Sequence, residues 1–548
     1  MAAQSKIDAV IVGSGAGGGI VAKELAHAGW QVVLLERGPW IKTFGHLETR
    51  DAWVTGIHDL PFGPDASDIR TSRGGETEKA RVVHPREGLY GTLPFCVGGG
   101  SVYYGAMAWR FRPETFRMRS YFGHVAGANL EDWPLTYDDL APYYEKAEYE
   151  LGVSGDDNPH GPPRNKPLPL PPVPENKEAE VLYPAARRLG WKPFHTPLAI
   201  LSQPYRGRAA CVRCSFCNGF GCEVGAKSST LASVIPEALR TGNCRLVPNA
   251  FAREITVDAR GTPDGVLYQT KGSDAWEKIG ARVVVVSASA TETPRVLLNS
   301  KSRFFPRGIG NERDQVGRNI ENDGGLFAYG LFDREVTDEQ GPGVCFAVDE
   351  FQCRGGDPAR AGGILSNYHT RGPLAFIHRV ALQKGVKPYG QEMKDFYRRY
   401  FKRSLWLYAT CHTFPRAENR VDVDPEERDS RGVPVSRITY RQHPRNAEQE
   451  QFMADRCVEL LREAGAKTIV PPRVVRESRQ GISTHQLGSC RMGNDPASSV
   501  VDPTGRVHGV PNVYIADGSL LVNPGGANPS LTLQALAYRV AENIVRRG

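Results

Sequence analysis

Residues 7–38 read IDAVIVGSGAGGGIVAKELAHAGWQVVLLERG, and this segment limits the fold more than any other in the chain. Ile7 to Val12 is an apolar run of strand length, Gly13 to Gly19 a turn, Ile20 to Ala28 a helix, and Gln31 to Glu36 a second strand. That order is one βαβ unit, which calls for a parallel sheet. Gly13, Gly15 and Gly18 fit G-x-G-x-x-G between strand and helix. The first permits a tight turn, the second lets backbone approach a pyrophosphate, and the third lets the helix pack closely. Glu36 closes the second strand, where a carboxylate can hold ribose hydroxyls and would repel a 2′-phosphate, so NADP is disfavoured. The reading is an α/β chain with a Rossmann-like nucleotide-binding domain.

A length of 548 residues suits two large domains. The Arg282 to Ser287 run is another buried strand, followed by a Thr-rich turn and the helical ETPRVLLNS. NVYIADGSLLV then gives strand, turn and strand end, and Leu533, Leu536, Val540 and Ile544 recur at helical spacing. The nucleotide domain is therefore expected to be discontinuous, over 1–115, 205–330 and 480–548. A substrate-binding domain with inserted segments is expected over 116–204 and 331–479, where RVDVDP and SRITYR alternate as strands and a helix lies near Asn446 to Ala464. Gly155 to Asn176 holds eight prolines and reads as an extended surface segment marking a boundary. Gly56 to Pro94 is rich in Gly, Pro, Asp and Arg with weak periodicity, an irregular excursion.

Composition removes several function classes. Apolar runs such as VVVVSASA are strand-length, so no membrane span is expected. The net charge of +7 is spread along the chain without a basic run among aromatics, which gives nucleic-acid binding no support. The opening carries no export signal, so a cytoplasmic location is expected, with a periplasmic one as the alternative if a signal-bearing partner carries the chain across. Eleven cysteines in that setting read mostly as free thiols.

Two C-terminal stretches carry the chemistry, THQLGSCRMG with His485 and GGANPSLTLQALAYR with Asn528. A neutral imidazole near pH 7 can accept a proton, and a carboxamide can hold a substrate oxygen but cannot act as base. Asn528 also precedes Pro529, which fits a helix N-cap. His412, His443 and His508 lack comparable context. Gly99, Gly100 and Ser101 in CVGGGSVYYG would let backbone amides lie against a flat ring or phosphate, or form a tight turn only. Asp517 before Gly518 fits a turn aspartate. Cys211, Cys214, Cys217 and Cys222 form C-x2-C-x2-C-x4-C, for which an iron–sulfur cluster, zinc, a disulfide and free thiols are alternative readings.

Taken with VGGGSVYYGAMAWRF, SASATETPRVLLNS and VGRNI, these motifs resemble the glucose-methanol-choline (GMC) oxidoreductases from end to end. Within that family the AWRF and YDDLAPYYEKAE stretches are most similar to catalytic subunits of bacterial sugar and polyol dehydrogenases. The resemblance implies a glucose oxidase-like fold, with a mainly antiparallel sheet and helices in the substrate domain, and FAD as cofactor. It implies that His485 takes the hydroxyl proton of a sugar or other alcohol while hydride leaves the carbon for flavin N5, that Asn528 fills the second catalytic position, and that Asp517 lies beside the flavin's phosphate and ribitol arm. Related sugar dehydrogenases carry a three-cysteine iron–sulfur loop that Cys211, Cys217 and Cys222 roughly match, with one gap longer and Cys214 extra. The electron acceptor stays open, a cytochrome or small accessory subunit among the candidates. Rival readings are a non-redox lyase of the same fold and an oxygen-using oxidase of a non-sugar alcohol.

Overall fold

The computed structural model describes residues 7–41, 67–85, 87, 90–91, 93–338, 340–353, 355–368, 372–474 and 484–547. The apolar runs assemble a sheet of five parallel strands: β1 (Ala9–Val12), β2 (Val32–Leu35), β3 (Cys244–Val247), β4 (Val283–Val286) and β5 (Val513–Ile515). Their spatial order is β5-β4-β1-β2-β3. β1, β2 and β4 are buried throughout, which is why they read as continuous apolar runs rather than alternating ones. The chain moves outward from β1 in one direction and returns on its other side, so the direction of winding changes between β1 and β4. Ligands of open α/β sheets bind at the carboxyl ends of strands at such a point.

Helix α1 (Gly18–His27) packs against the C-terminal helix α2 (Ser530–Arg547), so the ends of the chain share one domain. The turn into α1 is shaped by close approaches. At Gly13, φ is +95° and a Cβ would stand 2.2 Å from the Ser287 carbonyl oxygen at the end of β4. Gly17 has an ordinary φ of −90°, yet its Cβ would lie 1.6 Å from the Ala516 carbonyl oxygen just beyond β5.

The second layer is a six-stranded sheet in the order Thr468–Val470, Gly324–Leu331, Ser404–Cys411, Leu365–Tyr368, Phe346–Val348, Phe194–His195, every pair antiparallel. The helices Asn446–Glu463 and Lys177–Arg188 pack on it. Two expectations are corrected. The boundary placed between residues 330 and 331 falls inside the strand Gly324–Leu331, whose register with Ser404–Cys411 is continuous. The alternating strands Arg420–Arg428 and Pro434–Thr439, assigned to the substrate domain, instead join Arg70–Arg73 and Arg81–Val83 in a separate four-stranded sheet. Alternation shows that one face is buried but does not name the partner.

That small sheet is clamped to the helix after β4 by buried charges. Glu292 accepts from Arg70 at 2.7 Å and from Arg295 at 3.2 Å, and Arg295 also meets Asp429 at 2.8 Å. Burial alone would raise the Glu292 carboxyl, but the surrounding guanidinium groups of Arg70, Arg295 and Arg37 hold it down at about 2. The excursion expected over Gly56 to Pro94 lies partly outside the described residues, and its described part contains the two short strands just named. The proline-rich run from 155 to 176 forms no helix or ladder strand, only a bridge of Leu170 to Ser154. Among the described residues no helix is long and apolar enough to cross a membrane.

Because Gly17 needs glycine for space and not for its dihedral angles, Gly17→Ala is expected to destabilise the protein by about 2–3 kcal/mol through overpacking. A urea-unfolding midpoint indistinguishable from that of the parent would contradict the close approach.

Candidate active site

One cavity of about 1090 Å³ runs from the glycine turn of β1 to the C-terminal motifs, and its walls include Gly13, Gly15, Glu36, Gly99, Asp517, His485 and Asn528. Gly100 and Ser101 line it too. Apart from Gly18, which does not line the cavity and whose Cβ would stand 1.9 Å from the Gly13 carbonyl oxygen, the residues expected to bind a cofactor and those expected to do chemistry thus share one space.

The glycine end fits a dinucleotide. A Cβ at Gly15 or at Gly100 would meet nothing within 4 Å, so both backbones present open faces to the cavity, while a Cβ on Gly99 would come within 3.1 Å of Gly15 Cα. The two glycine turns therefore face each other across a slot, close at Gly99 and open at Gly15 and Gly100, where a phosphate chain has room that a side chain would take up. They are tied together by Ser14, whose hydroxyl accepts from Gly98 N–H at 3.0 Å and donates to Glu36 Oε2 at 2.6 Å. Glu36 also accepts from the backbone of Ser14 and Gly38 at 3.0 and 2.9 Å, while burial pushes its carboxyl upward. Beside it, Arg37 stacks 4.3 Å from Phe95 and 5.0 Å from Phe251, two rings that line the same end. The Ser101 hydroxyl is committed to the turn, donating to Gly98 O at 2.6 Å and accepting from Thr230 N–H at 3.0 Å.

Asp517 is a structural joint on the cavity wall. Its Oδ1 accepts from Ser519 N–H and Oγ at 2.8 and 2.5 Å, and its Oδ2 from Ser289 N–H at 2.9 Å and from the Thr293 hydroxyl. The turn-aspartate reading therefore holds beside the cavity-lining one. The histidine segment hangs on this turn: Gly488, Cys490 and Met492 donate to the carbonyls of Gly518, Ser519 and Leu520 at 3.2, 2.8 and 3.0 Å. Gln486–Leu487 pairs with Glu321–Asn322, and Gln486 donates to Gly91 O at 2.7 Å.

His485 Nε2 lies 3.1 Å from Asn528 Nδ2, and Asn528 Oδ1 accepts from Trp109 Nε1–H at 3.0 Å. An indole nitrogen can only donate, so Trp109 fixes which end of the carboxamide is oxygen. The amide NH₂ must then face His485, whose Nε2 accepts and carries no proton. Burial lowers the His485 pKa to about 4, in keeping with a neutral ring. Asn528 spends its side chain on these two partners rather than on capping α2. The glycines before it are held by contact as well: Gly526 N–H donates to Asp323 at 3.1 Å and its carbonyl accepts from Thr410 at 2.6 Å. Trp109 was not singled out from the sequence, although it stands in the quoted AWRF stretch.

The metal expectation is corrected. Among the described residues no group of three or more His, Cys, Asp or Glu side chains is placed to hold a metal ion, and all four cysteines of the loop are free. The loop folds around a cation instead. Buried Lys227 donates to the carbonyls of Tyr104 and Phe220 at 3.0 and 2.7 Å and to that of Cys217. Burial lowers Lys227 to about 8 and pushes the Cys217 thiol up to about 12. Cys211, Cys217 and Cys222 as arranged do not fit an iron–sulfur cluster.

A parallel sheet with a dinucleotide slot opening onto a histidine–carboxamide pair defines a nucleotide-cofactor oxidoreductase. The comparisons sharpen that class. Family models described as GMC oxidoreductase match residues 96–323 and 415–537. Paromamine 6′-oxidase of Streptomyces fradiae is 31% identical over 98% of this chain and 91% of its own length. The fructose dehydrogenase large subunit of Gluconobacter japonicus is 26% identical over 98% and 97%. Pyridoxine 4-oxidase from Mesorbium loti shares the fold, with a TM-score of 0.62 at 16% identity, covering 98% of this chain and 99% of that one. The chain belongs to the GMC oxidoreductase family and is an FAD-dependent alcohol or sugar oxidoreductase.

Two variants test the site. Gly15→Ala leaves the protein's own packing intact but fills the slot, so the purified variant should fold and bind FAD at least about tenfold more weakly, as measured by flavin titration. Trp109→Phe keeps an aromatic ring but frees the carboxamide to rotate, and anaerobic flavin reduction should slow by about tenfold or more. Full-rate reduction in that variant would show that the indole does not orient Asn528.

Proposed function

We propose that this enzyme oxidises a CH–OH group of a sugar-type alcohol to a carbonyl, with His485 as base and Asn528 as the group that holds the reacting oxygen. The observation that carries the reading is the Trp109–Asn528–His485 chain, which keeps His485 Nε2 unprotonated beside an N–H donor, inside the cavity that fits the cofactor. The two atoms stand 3.1 Å apart, so a substrate hydroxyl that displaces the Asn528 N–H from Nε2 can donate its proton toward the imidazole while accepting from the amide. As the proton moves to Nε2, negative charge on the oxygen is met by the Asn528 N–H. FAD, when bound along the Gly13, Glu36 and Gly99 slot, supplies the acceptor for the hydride that leaves the carbon.

Relatives named for paromamine and fructose support hydroxyl-rich donors. One of them is named as a large subunit, which supports an accessory subunit as the exit for electrons. The cysteine loop has no part in this route.

His485→Ala should slow anaerobic flavin bleaching by sugar or alcohol by about 10²–10⁴-fold, the usual worth of a positioned base. Because the imidazole titrates near 4, it is neutral and competent above that value; the reduction rate of the parent enzyme should lose no activity to this group between pH 6 and 8 and fall as pH approaches 4. A flavin that stays yellow while substrate is consumed would indicate a lyase and overturn the proposal.

A further inference from the structure

The cavity carries, away from its glycine slot, a carboxylate without a counter-ion among the described residues. Glu450, on the helix Asn446–Glu463, is 6% exposed, lines the cavity and accepts one hydrogen bond, from Gln442 Nε2 at 3.0 Å. No cationic side chain among the described residues contributes to its environment, and burial raises its carboxyl. Asp323 lines the same cavity at 4% exposed. Its Oδ1 accepts from Gly526 N–H at 3.1 Å, and its Oδ2 has no hydrogen-bond partner among the described residues. Two carboxyls in a shielded space cost much to ionise unless a cation accompanies them.

Aromatic rings form part of the same wall. Phe327, Tyr368 and Tyr408, from three adjacent strands, line the cavity with centroids 5.2 Å (Phe327–Tyr368), 5.0 Å (Phe327–Tyr408) and 5.8 Å (Tyr368–Tyr408) apart. Such a cluster offers C–H stacking to a sugar ring and negative ring faces to a cation. Arg379, stacked 4.9 Å from Phe327, does not line the cavity.

We propose that the substrate half of this cavity is built for a polyol bearing an amine, whose ammonium pairs with Glu450 while its ring lies against Phe327, Tyr368 and Tyr408. This rests on the reading of the cavity as an alcohol-oxidising site and names the class of alcohol. A sugar acid would bring no charge for Glu450 to pair with, and a neutral sugar would leave Glu450 with Gln442 alone. The ammonium supplies the missing charge, and the unpartnered Oδ2 of Asp323, whose carboxyl burial raises, offers a further hydrogen-bonding oxygen on the same wall.

Binding can be measured without turnover, on the FAD-loaded His485→Ala enzyme at pH 7, by calorimetric titration with paromamine and with its N-acetylated form. Paromamine should bind at least tenfold more tightly than the uncharged derivative. Adding Glu450→Gln should weaken paromamine at least tenfold and bring the two ligands to within about threefold of each other. Equal or tighter binding of the acetylated form, no binding of either, or a preference untouched by Glu450→Gln would overturn the proposal. Preferential paromamine binding without flavin bleaching in the parent enzyme would instead count against the oxidoreductase reading and leave the ammonium site standing.

Discussion

The buried carboxylate of Asp517 joins the parts of this molecule that have to meet. It stands where β5 ends, takes donors from its own turn and from the segment after β4, and so locks together two strands of the parallel sheet at the cofactor end. In a medium of low polarisability, four donors on one carboxylate make a stiff junction. The turn it pins offers the carbonyls on which Gly488, Cys490 and Met492 hang. The position of His485 is therefore set by the same sheet whose opposite turn, at Gly13 and Gly15, forms the slot for the dinucleotide. A base borne on a free loop would have no such tie to the cofactor.

The second requirement is chemical: a histidine that accepts rather than donates. Burial lowers the imidazole pKa and the carboxamide of Asn528 faces Nε2 with hydrogen, but an amide can rotate and present oxygen instead. The indole of Trp109 removes that freedom because it has a hydrogen to give and nothing to receive. Trp109 arrives from the stretch after the second glycine turn, His485 from the segment that hangs on the turn after β5, and Asn528 from the threshold of α2. The packing of α2 on α1 and the contacts of Asp323 and Thr410 around Gly526 keep the last of these in place.

Much of this was legible in the sequence wherever the signal is local. Continuous apolar runs marked β1, β2 and β4 because strands buried on both faces need nothing else, and the glycine spacing marked the slot because Gly13 and Gly18 answer close approaches and Gly15 leaves its face open. His485 and Asn528 stood out through the motifs around them. Trp109 did not, since a tryptophan among apolar neighbours reads as core and its partner lies 419 residues away. The strands Arg420–Arg428 and Pro434–Thr439 showed the correct period, but period cannot say which sheet they join. The cysteine loop stayed open among several readings for a related reason: spacing records how many thiols are near one another in the chain, while the buried ammonium of Lys227 decides what the loop folds around.

The central claim concerns one proton, and neutron diffraction from deuterium-exchanged crystals of the oxidised enzyme at pH 7 would locate it. The account predicts a deuteron on His485 Nδ1, none on Nε2, and the ND₂ group of Asn528 directed at that bare nitrogen with Trp109 donating to Oδ1. A deuteron on Nε2, or an imidazolium carrying both, would contradict it.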